Sequence, residues 1–176
     1  VVNVEEQADQ SVNIILEDGR RVTATKGVLI ATGVQPDLRH LPIIPEAVSP
    51  QCMTLRSSAD FEHMLERLKE ADSVAIYGDG YVACELSATI KKTFPLKTVH
   101  ILNPKKELLS TIFPDYMSRY IQRQLKSVDV KCSGDFKPLK ISARPNGVKL
   151  TSTEGKEVDC NLLIVDAPSV PTPIVI

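Results

Sequence analysis

The sequence predicts an α/β fold: a Rossmann-like parallel sheet, built from βαβ units, with an antiparallel β-hairpin or meander insertion. The first observation is that short apolar runs alternate with amphipathic stretches in the middle of the chain. The second is a glycine-bearing turn, Gly78 to Gly80, between an apolar run and a helical stretch. The third is a hairpin pattern that occurs once near each end of the chain.

The amino-terminal segment is predicted to form a hairpin and one further strand. Val12–Leu16 has the composition of a strand, the letters EDGR supply a turn, and Val22–Thr25 returns. Val28–Ala31 is apolar throughout, which predicts a short buried strand. The proline-rich letters TGVQPDLRHLPIIPEAVSP then predict a linker that crosses to the next segment.

The middle of the chain is predicted to alternate between helices and strands. Ser57 or Ser58 caps a helix that ends near Glu70. The letters SVAIY form a buried strand, and a second helix extends from about Tyr81 to Lys92. The letters KTVHIL and DVKCS form two further strands, with a third helix between them. The apolar face of the first helix is predicted to contain Phe61, Met64, Leu65 and Leu68.

The third helix is predicted to begin at Pro114 and Asp115, because proline suits the first position and an acid suits the first turn. Met117, Ile121 and Leu125 give this helix an apolar stripe. Strand, helix, strand, helix, strand in this order is typical of a parallel sheet.

The two ends of the chain resemble each other. The letters VNIILEDGRRVTATKGVLIATGVQP align with VKLTSTEGKEVDCNLLIVDAPSVP, so that Gly19 meets Gly155. After a short gap, Leu29 meets Leu163. Each copy consists of a hairpin, a short apolar strand, a turn of small residues and a proline. We interpret this match as a repeat of two related modules, of which only the end of the first is present.

Composition and charge narrow the classes of function. The net charge of -1 argues against a general affinity for nucleic acid, which needs a basic surface. No apolar run reaches the roughly 20 residues of a membrane span. The cysteines and histidines are scattered, so we expect four reduced thiols and no metal, and Cys84 is interpreted as a packed core residue. No arrangement typical of hydrolysis is found, and no catalytic residue is predicted.

The turn after SVAIY matches the dinucleotide fingerprint G-x-G-x-x-G/A, with Gly78, Gly80 and Ala83 at its small positions. The first glycine permits the tight turn, the second lets the backbone approach a diphosphate, and the third small residue lets the helix lie close. The helix start would offer unpaired N–H groups to the phosphate. A turn without a ligand is the alternative, and Asp79 would repel a diphosphate unless its side chain points away.

The end of the next strand bears on which dinucleotide is preferred. An NAD site commonly has Asp or Glu there, which accepts hydrogen bonds from the ribose hydroxyls. Here the letters NPKK place Asn103, Lys105 and Lys106 at this position. The two lysines either favour a 2'-phosphate, and therefore NADP over NAD, or form a solvated turn. The sequence leaves both interpretations open.

Several stretches, LIATGVQP, VAIYGDGYVACELSATI, VHILNP and GVKLTSTEGKEVDCNLLIVDAP, resemble the pyridine-nucleotide-disulfide oxidoreductase superfamily. Within it the chain is most similar to the apoptosis-inducing factors, through ELSATI and FPDYMSRYIQRQLKSVDVK. The similar portion extends from about Val12 to Pro168. The resemblance implies a parent protein with an FAD domain, an inserted NAD(P)-binding domain and a carboxyl-terminal domain.

The resemblance divides this chain into three segments. Residues 1–50 match the end of the first FAD-domain segment, a remnant with a β-hairpin, the ATG strand and a crossing linker. Residues 51–168 match the NAD(P)-binding Rossmann-like domain, and residues 169–176 match a return linker. The amino-terminal FAD fingerprint and the later GD segment are not found, so FAD is expected in the full-length parent and not in this fragment.

The resemblance also implies roles for single residues. The family's cofactor-binding positions match Gly78, Gly80 and Ala83 in the glycine loop, Tyr81 and Val82 near the nicotinamide, and Glu85, which supports the cofactor and the flavin. Asp79, Asn103, Lys105 and Lys106 complete the predicted cofactor-binding set around the loop and the strand end.

Three positions depart from the family pattern. Lys105 falls where the apoptosis-inducing factors have an acidic ribose ligand, so the charge is reversed. Thr111 falls where a family member has a lysine near the adenosine. Ala167 falls where the family has glycine, and its methyl group would crowd the nicotinamide amide. These departures raise the alternative of a cofactor site that has decayed.

Two alternative functions are therefore considered. In the first, the chain presents NADH or NADPH for hydride transfer to a flavin that the parent's FAD domain holds. In the second, the scaffold binds cofactor weakly or not at all and acts as a protein-interaction module in cell death. The resemblance implies the parent's FAD and carboxyl-terminal domains as partners, allows a homodimer, and implies a mitochondrial parent with release to the cytosol or nucleus.

Overall fold

The structure, a computed structural model, describes residues 2–44 and 46–172, without the side chains of residues 47–49. The chain divides into two compact units: one holds the residues up to Asp37 and those from Ser169 onward, and the other is Leu38–Pro168. The predicted segment boundaries after residues 50 and 168 stay a prediction. The predicted return linker extends to residues 173–176, which lie outside the described residues.

Short strands and three α-helices make up most of the described ranges. The strands are β1 (Asn3–Glu6), β2 (Val12–Ile15), β3 (Arg21–Ala24), β4 (Val34–Pro36), β5 (Cys52–Thr54), β6 (Ser73–Tyr77), β7 (Thr98–Leu102), β8 (Val130–Ser133), β9 (Pro138–Arg144), β10 (Gly147–Ser152), β11 (Glu157–Cys160), β12 (Leu162–Val165) and β13 (Ser169–Pro171). The helices are α1 (Ser58–Glu70), α2 (Tyr81–Thr93) and α3 (Asp115–Ser127), and a 3-10 helix spans Glu46–Gln51.

Five strands form a parallel sheet in the order β5-β12-β6-β7-β8, which confirms the predicted α/β class. In its centre, Ile76 of β6 lies opposite Ile101 of β7 on one side and Ile164 of β12 on the other. All three side chains are fully buried. Helices α1, α2 and α3 pack against one face of the sheet, and the strands β9–β11 pack against the other. Burial on both faces explains why the letters SVAIY are apolar without alternation.

The helix boundaries agree closely with the sequence prediction. Ser57 is the N-cap of α1 and forms a reciprocal capping box with Asp60. Helix α2 begins at Tyr81 as predicted. Pro114 is the N-cap of α3 and not its first helical residue, because its ψ of 153° is extended; Asp115 takes the first position. The proline and the acid therefore mark the start of α3, shifted by one residue.

The buried face of α1 is narrower than predicted. Met64 and Leu68 are each 1% exposed, whereas Phe61 is 48% and Leu65 is 36% exposed. Successive residues turn by about 100° around a helix, so Leu65 lies well to the side of Met64 and at the margin of the packed face. Of the four residues on the predicted apolar face, Met64 and Leu68 are buried, whereas Phe61 and Leu65 are exposed.

Both predicted hairpins are present. Strands β2 and β3 pair with Val12 opposite Ala24, and β10 and β11 pair with Val148 opposite Cys160, which is the register that the sequence alignment implies. A glycine with positive φ occupies the turn of each hairpin. A preceding strand extends each hairpin into a three-stranded meander, β1-β2-β3 in one case and β9-β10-β11 in the other. The shared register supports the interpretation as a repeat.

The prediction of a strand at Val28–Ala31 is wrong. The segment has no strand pairing, and the side chain of Leu29 is 91% exposed. A strand needs neighbouring strands to pair its backbone groups, and none of the described strands pairs with this run. The segment predicted as a crossing linker contains β4, which pairs with β13. A three-residue strand of this kind carries no pattern that a sequence could show.

We expect Leu163→Ala to lower the free energy of unfolding by about 2–5 kcal/mol, because a buried leucine side chain is lost and a cavity is left. Leu163 is 0% exposed in β12. Leu139→Ala is the matched control, since Leu139 is 62% exposed in β9, and we expect a change of about 0.5 kcal/mol or less. Urea unfolding followed by circular dichroism measures both; equal losses would contradict the placement of β12 in the core.

Candidate functional site

The carboxyl ends of three neighbouring parallel strands meet at one edge of the sheet. Asp166, Gly78 and Asn103 follow directly after β12, β6 and β7, respectively. The N–H of Asp166 donates to the carbonyl of Tyr77 (2.8 Å), and the N–H of Gly78 donates to the carbonyl of Leu102 (3.1 Å). Open α/β sheets bind ligands in the crevice outside such strand ends. This edge is therefore the candidate functional site.

A cleft of about 540 Å³ opens at this edge. The ring of His40 stacks on the ring of Tyr77 at one side, with a centroid distance of 5.8 Å. The lining residues are His40, Tyr77, Gly78, Asp79, Gly80, Pro104, Lys137, Pro138, Asp166, Ala167 and Pro168. The structure thus brings Gly78, Asp79, Gly80 and Ala167 of the predicted set together in one cleft.

Asp166 lies against the start of α2, a contact that the sequence prediction missed. Its Oδ2 atom accepts a hydrogen bond from the N–H of Ala83 at 3.3 Å. Burial raises the pKa of Asp166, and the N–H of Ala83, the charge of Arg56 and the N–H of Gly80 oppose that rise. The signal available in the sequence was a single acid directly after the apolar letters LLIV.

The two loop glycines make room for Asp166. A Cβ atom added to Gly78, whose φ is +156°, would lie 2.6 Å from the Cβ of Asp166. A Cβ added to Gly80 would lie 2.7 Å from the Oδ2 of Asp166. Ala83, the third small residue of the fingerprint, is fully buried in the first turn of α2, where it faces the core. Any larger side chain at the two glycine positions would displace Asp166 or the loop.

Asp79 is held within the loop by a charge partner. Its carboxylate lies 3.0 Å from the ammonium of Lys105, and its carbonyl accepts a hydrogen bond from the N–H of Leu109 at 3.0 Å. The ion pair is partly buried, with the Lys105 side chain 43% exposed and that of Asp79 27% exposed. Lys105 is thus directed toward the loop and is not part of a solvated turn alone.

Asn103 is 2% exposed at the end of β7. Its Oδ1 accepts a hydrogen bond from the N–H of Lys105 at 3.0 Å, which fixes the turn that follows β7. Its Nδ2 has no hydrogen-bond partner among the described residues. Buried polar groups are normally paired, so this amide is a donor that a ligand or a water molecule could satisfy.

Other predicted site residues lie outside the cleft lining. Tyr81 and Val82, at the start of α2, are 48% and 41% exposed, and the ring of Tyr81 meets that of Phe113 edge-on at 6.0 Å. Glu85 and Thr111 are exposed. Their proposed roles toward a cofactor stay predictions.

Lys106 belongs to a second cleft, also of about 540 Å³, between α3 and the turns after β7 and β8. Lys105 points toward the glycine loop, whereas Lys106 lines this second cleft together with both acidic and basic side chains. The lining residues are Lys106, Glu107, Arg119, Gln122, Arg123, Lys126, Gly134 and Asp135. This cleft does not contain the ends of β6 and β12, so we take the first cleft as the functional site.

The four cysteines all fall in described ranges and are free thiols. Burial raises the pKa of Cys84 and of Cys160 to about 12 and that of Cys52 to about 11, and it also raises the pKa of Cys132. Cys84 is part of the core, as predicted. In the described ranges, no three metal-ligating side chains form a group, and no helix is long and apolar enough to cross a membrane.

Sequence comparisons agree with the predicted resemblance. The family described as pyridine nucleotide-disulphide oxidoreductase matches residues 1–171. The mitochondrial apoptosis-inducing factor 1 of Dictyostelium discoideum is 28% identical over 164 residues, which cover 90% of this chain and 30% of that protein. The nitric oxide reductase FlRd-NAD(+) reductase of Aliivibrio fischeri is 24% identical over 160 residues, covering 88% of this chain and 40% of that protein. The chain thus spans less than half the length of these relatives.

Solved structures show the same fold. A ferredoxin reductase from Rhodopseudomonas palustris superposes with a TM-score of 0.83 at 17% identity, covering 97% of this chain and 40% of its own. The water-forming NADH oxidase from Lactobacillus brevis, solved with NADH bound, gives a TM-score of 0.79 at 17% identity, covering 97% of this chain and 37% of its own. At these identities the likeness establishes the fold alone.

We expect Gly78→Ala to lower the free energy of unfolding by about 3 kcal/mol or more, because the methyl group would meet Asp166 and the positive φ is strained for alanine. Gly155→Ala is the matched control. Gly155 also has a positive φ, +77°, but a Cβ there would meet nothing within 4 Å, so we expect a loss of about 1 kcal/mol. Denaturant unfolding measures both, and an equal loss would contradict the close approach of Asp166.

We expect the thiols of the folded chain to react slowly with iodoacetamide at about pH 8, because burial leaves them protonated. After unfolding in urea, the thiol pKa returns to about 8.5 and all four cysteines should react rapidly. Mass spectrometry of the labelled peptides measures each site. Rapid labelling of Cys84 in the folded chain would contradict its burial on the core-facing side of α2.

Proposed function

The chain belongs to the pyridine nucleotide-disulphide oxidoreductase family, and we propose that residues 51–168 are its pyridine-nucleotide-binding domain. The observation that carries the proposal is the glycine turn between β6 and α2, placed at the carboxyl ends of the parallel strands. In this fold the N–H groups at a helix start form the binding position for a dinucleotide diphosphate. A bound NADH or NADPH would supply a hydride for transfer to flavin.

The loop backbone fits a diphosphate in shape. Gly78 and Gly80 place no side chain at the turn, although the side chain of Asp166 lies against both, and the buried Ala83 lets α2 start close behind them. The unpaired amide of Asn103 supplies a buried donor at the end of β7. The charge of the loop suits a diphosphate less well, because the carboxylate of Asp166 already accepts the hydrogen bond from the N–H of Ala83. The residues therefore fit the cofactor once Asp166 moves or is neutralised.

Each residue of the loop has a proposed task. Gly80 and Ala83 present backbone N–H groups to the diphosphate, and Lys105 offsets the charge of Asp79. Tyr81 and Val82, exposed at the start of α2, would contact the nicotinamide end. None of these side chains is assigned a chemical step, because the redox chemistry belongs to the cofactors.

Further proposals concern the full-length parent protein. We propose that its FAD domain holds the flavin and that Glu85, exposed on α2, faces that domain together with the nicotinamide. Two relatives carry names that place them in mitochondria, the apoptosis-inducing factor 1 of Dictyostelium discoideum and the one described as putative from Drosophila melanogaster. Mitochondrial location of the parent, a homodimer, and later release to cytosol or nucleus are proposed on this resemblance.

A second candidate function is a protein-interaction scaffold in cell death with little affinity for cofactor. Two carboxylates at the loop, those of Asp79 and Asp166, favour it because both oppose a diphosphate. Exposed aromatic rings on one side of α3 offer a contact surface: Tyr116 is 65% and Tyr120 is 52% exposed. Failure of both dinucleotides to bind would favour this function.

Calorimetric titration of the chain with NADH and, separately, with NADPH at fixed salt tests the proposal. We expect saturable binding of at least one dinucleotide at one site per chain, with a Kd of about 1 mM or tighter. The same titration with AMP, which lacks the diphosphate bridge, is the ligand control and should bind more weakly. No saturation with either dinucleotide would count against a working phosphate loop in the unaltered chain.

We expect Lys105→Ala to weaken NADH and NADPH binding equally, by about twofold to fivefold, because Asp79 loses its charge partner beside the diphosphate. Lys106→Ala is the matched control and should leave NADH binding unchanged, since Lys106 lies in the second cleft. Calorimetry measures all four combinations of variant and ligand. A loss confined to NADPH in Lys105→Ala would show instead that Lys105 binds the 2'-phosphate.

A further inference from the structure

We propose that Asp166 is a built-in anion of the glycine loop, whose carboxylate occupies the N–H groups at the start of α2 and must leave or be neutralised before a dinucleotide diphosphate binds. The inference rests on the proposed function, because it names what limits affinity at the same site. Asp166 is thus an affinity-determining residue and its contact is autoinhibitory.

The geometry of the contact is that of an anion at a helix start. The Oδ2 of Asp166 lies 3.3 Å from the N of Ala83, and the N–H of Gly80 is close enough to the carboxyl group to lower its pKa. Helix α2 has no side-chain cap of its own at Gly80, so the side chain of Asp166, from another strand, takes that place. A carboxylate and a phosphate compete for the same N–H groups and the same partial positive charge.

The glycines give a second observation on the position of Asp166. Glycines in this turn are expected to make space for a diphosphate. Here the space over Gly78 is filled by the Cβ of Asp166, and the space over Gly80 is filled by its Oδ2. The side chain of Asp166 therefore packs directly against both loop glycines, which holds its carboxylate at the N–H groups of the turn.

The charged groups around Asp166 do not offset the repulsion between its ionised carboxylate and a bound diphosphate. Asp79 adds a second negative charge at the loop, and Lys105 is already engaged with it. Arg56 is the cation whose charge favours ionised Asp166, and its guanidinium donates to the carbonyl of Ala167. With Asp166 ionised and in place, the diphosphate would meet two carboxylates at the position where it needs N–H groups.

The contact makes dinucleotide affinity depend on pH. Burial raises the pKa of Asp166, so the carboxyl group gains a proton at a higher pH than an exposed aspartate would. The neutral form repels a diphosphate less, and affinity should increase as pH falls. Other groups face the cleft, namely Asp79 in the loop, Arg56 before α1, His40 and Tyr77 on the stacked side and Lys137 before β9. Comparing the chain with a variant that lacks the Asp166 carboxylate isolates the contribution of Asp166 to the pH dependence of dinucleotide affinity.

The test compares the chain with Asp166→Asn, which keeps the shape of the side chain and removes its charge. Asp159→Asn is the matched control, because Asp159 pairs with Arg144 at 3.2 Å in the meander, among residues that line neither the loop nor its cleft. Calorimetry with NADH near neutral pH measures affinity. ADP-ribose, which carries the same diphosphate and tolerates acid, serves for a series from about pH 8 down to about pH 3, the range that covers carboxyl groups from their ordinary pKa upward.

A second readout needs no nucleotide. Amide ¹⁵N and ¹H shifts of Gly80 and Ala83 are followed by NMR through the same pH range. We expect both amides to titrate with the carboxylate of Asp166 in the unaltered chain and in Asp159→Asn, and to lose that inflection in Asp166→Asn. Asp166→Ser provides a second variant in case the asparagine variant does not fold, and the unaltered chain provides the pH series by itself.

The expected result is at least about tenfold tighter NADH binding in Asp166→Asn, with a flattened pH dependence, and no change in Asp159→Asn. Unchanged or weaker NADH binding in Asp166→Asn, while the unaltered chain binds NADH, would overturn the inference. Amides of Gly80 and Ala83 that do not titrate would also overturn it. If those amides titrate but no variant binds either nucleotide, Asp166 is upheld as the anion of the loop and the proposed function is rejected.

Discussion

The close approach of β12 to the glycine loop is the constraint on which the candidate site depends. Parallel pairing sets Val165 beside Tyr77, so the next residue, Asp166, meets the turn at the start of α2. Gly78 and Gly80 permit this approach only because they lack a Cβ. We propose that the same geometry gives the loop its shape for a diphosphate and, through one carboxylate, opposes the charge of that ligand.

The two faces of the parallel sheet explain how so short a segment holds this geometry. Three helices cover one face and a three-stranded meander covers the other, so β6 and β12 are buried on both sides. A strand held in this way cannot shift without breaking both layers, which fixes the positions of the loop and of Asp166. Lys105, in the turn after β7, forms an ion pair with Asp79 of the glycine loop and so links the two turns.

Much of the fold could be predicted from local sequence patterns. The letters VAIY are apolar because both faces of the sheet are covered at β6, and the hairpin turns contain glycines that tolerate positive φ. Val28–Ala31 has the same local pattern but no partner strand, so the pattern alone was misleading. Asp166 was missed because its contact depends on β12 lying beside β6, a pairing between residues far apart in the chain.

The most direct measurement of the central claim is an NMR titration of the chain with NADH, observed at the backbone amides. Binding at the turn between β6 and α2 predicts that the largest shifts occur at Gly78, Gly80 and Ala83, with saturation at one NADH per chain. Shifts confined to the second cleft, around Lys106 and Arg123, would contradict the account, and so would the absence of any saturable shift.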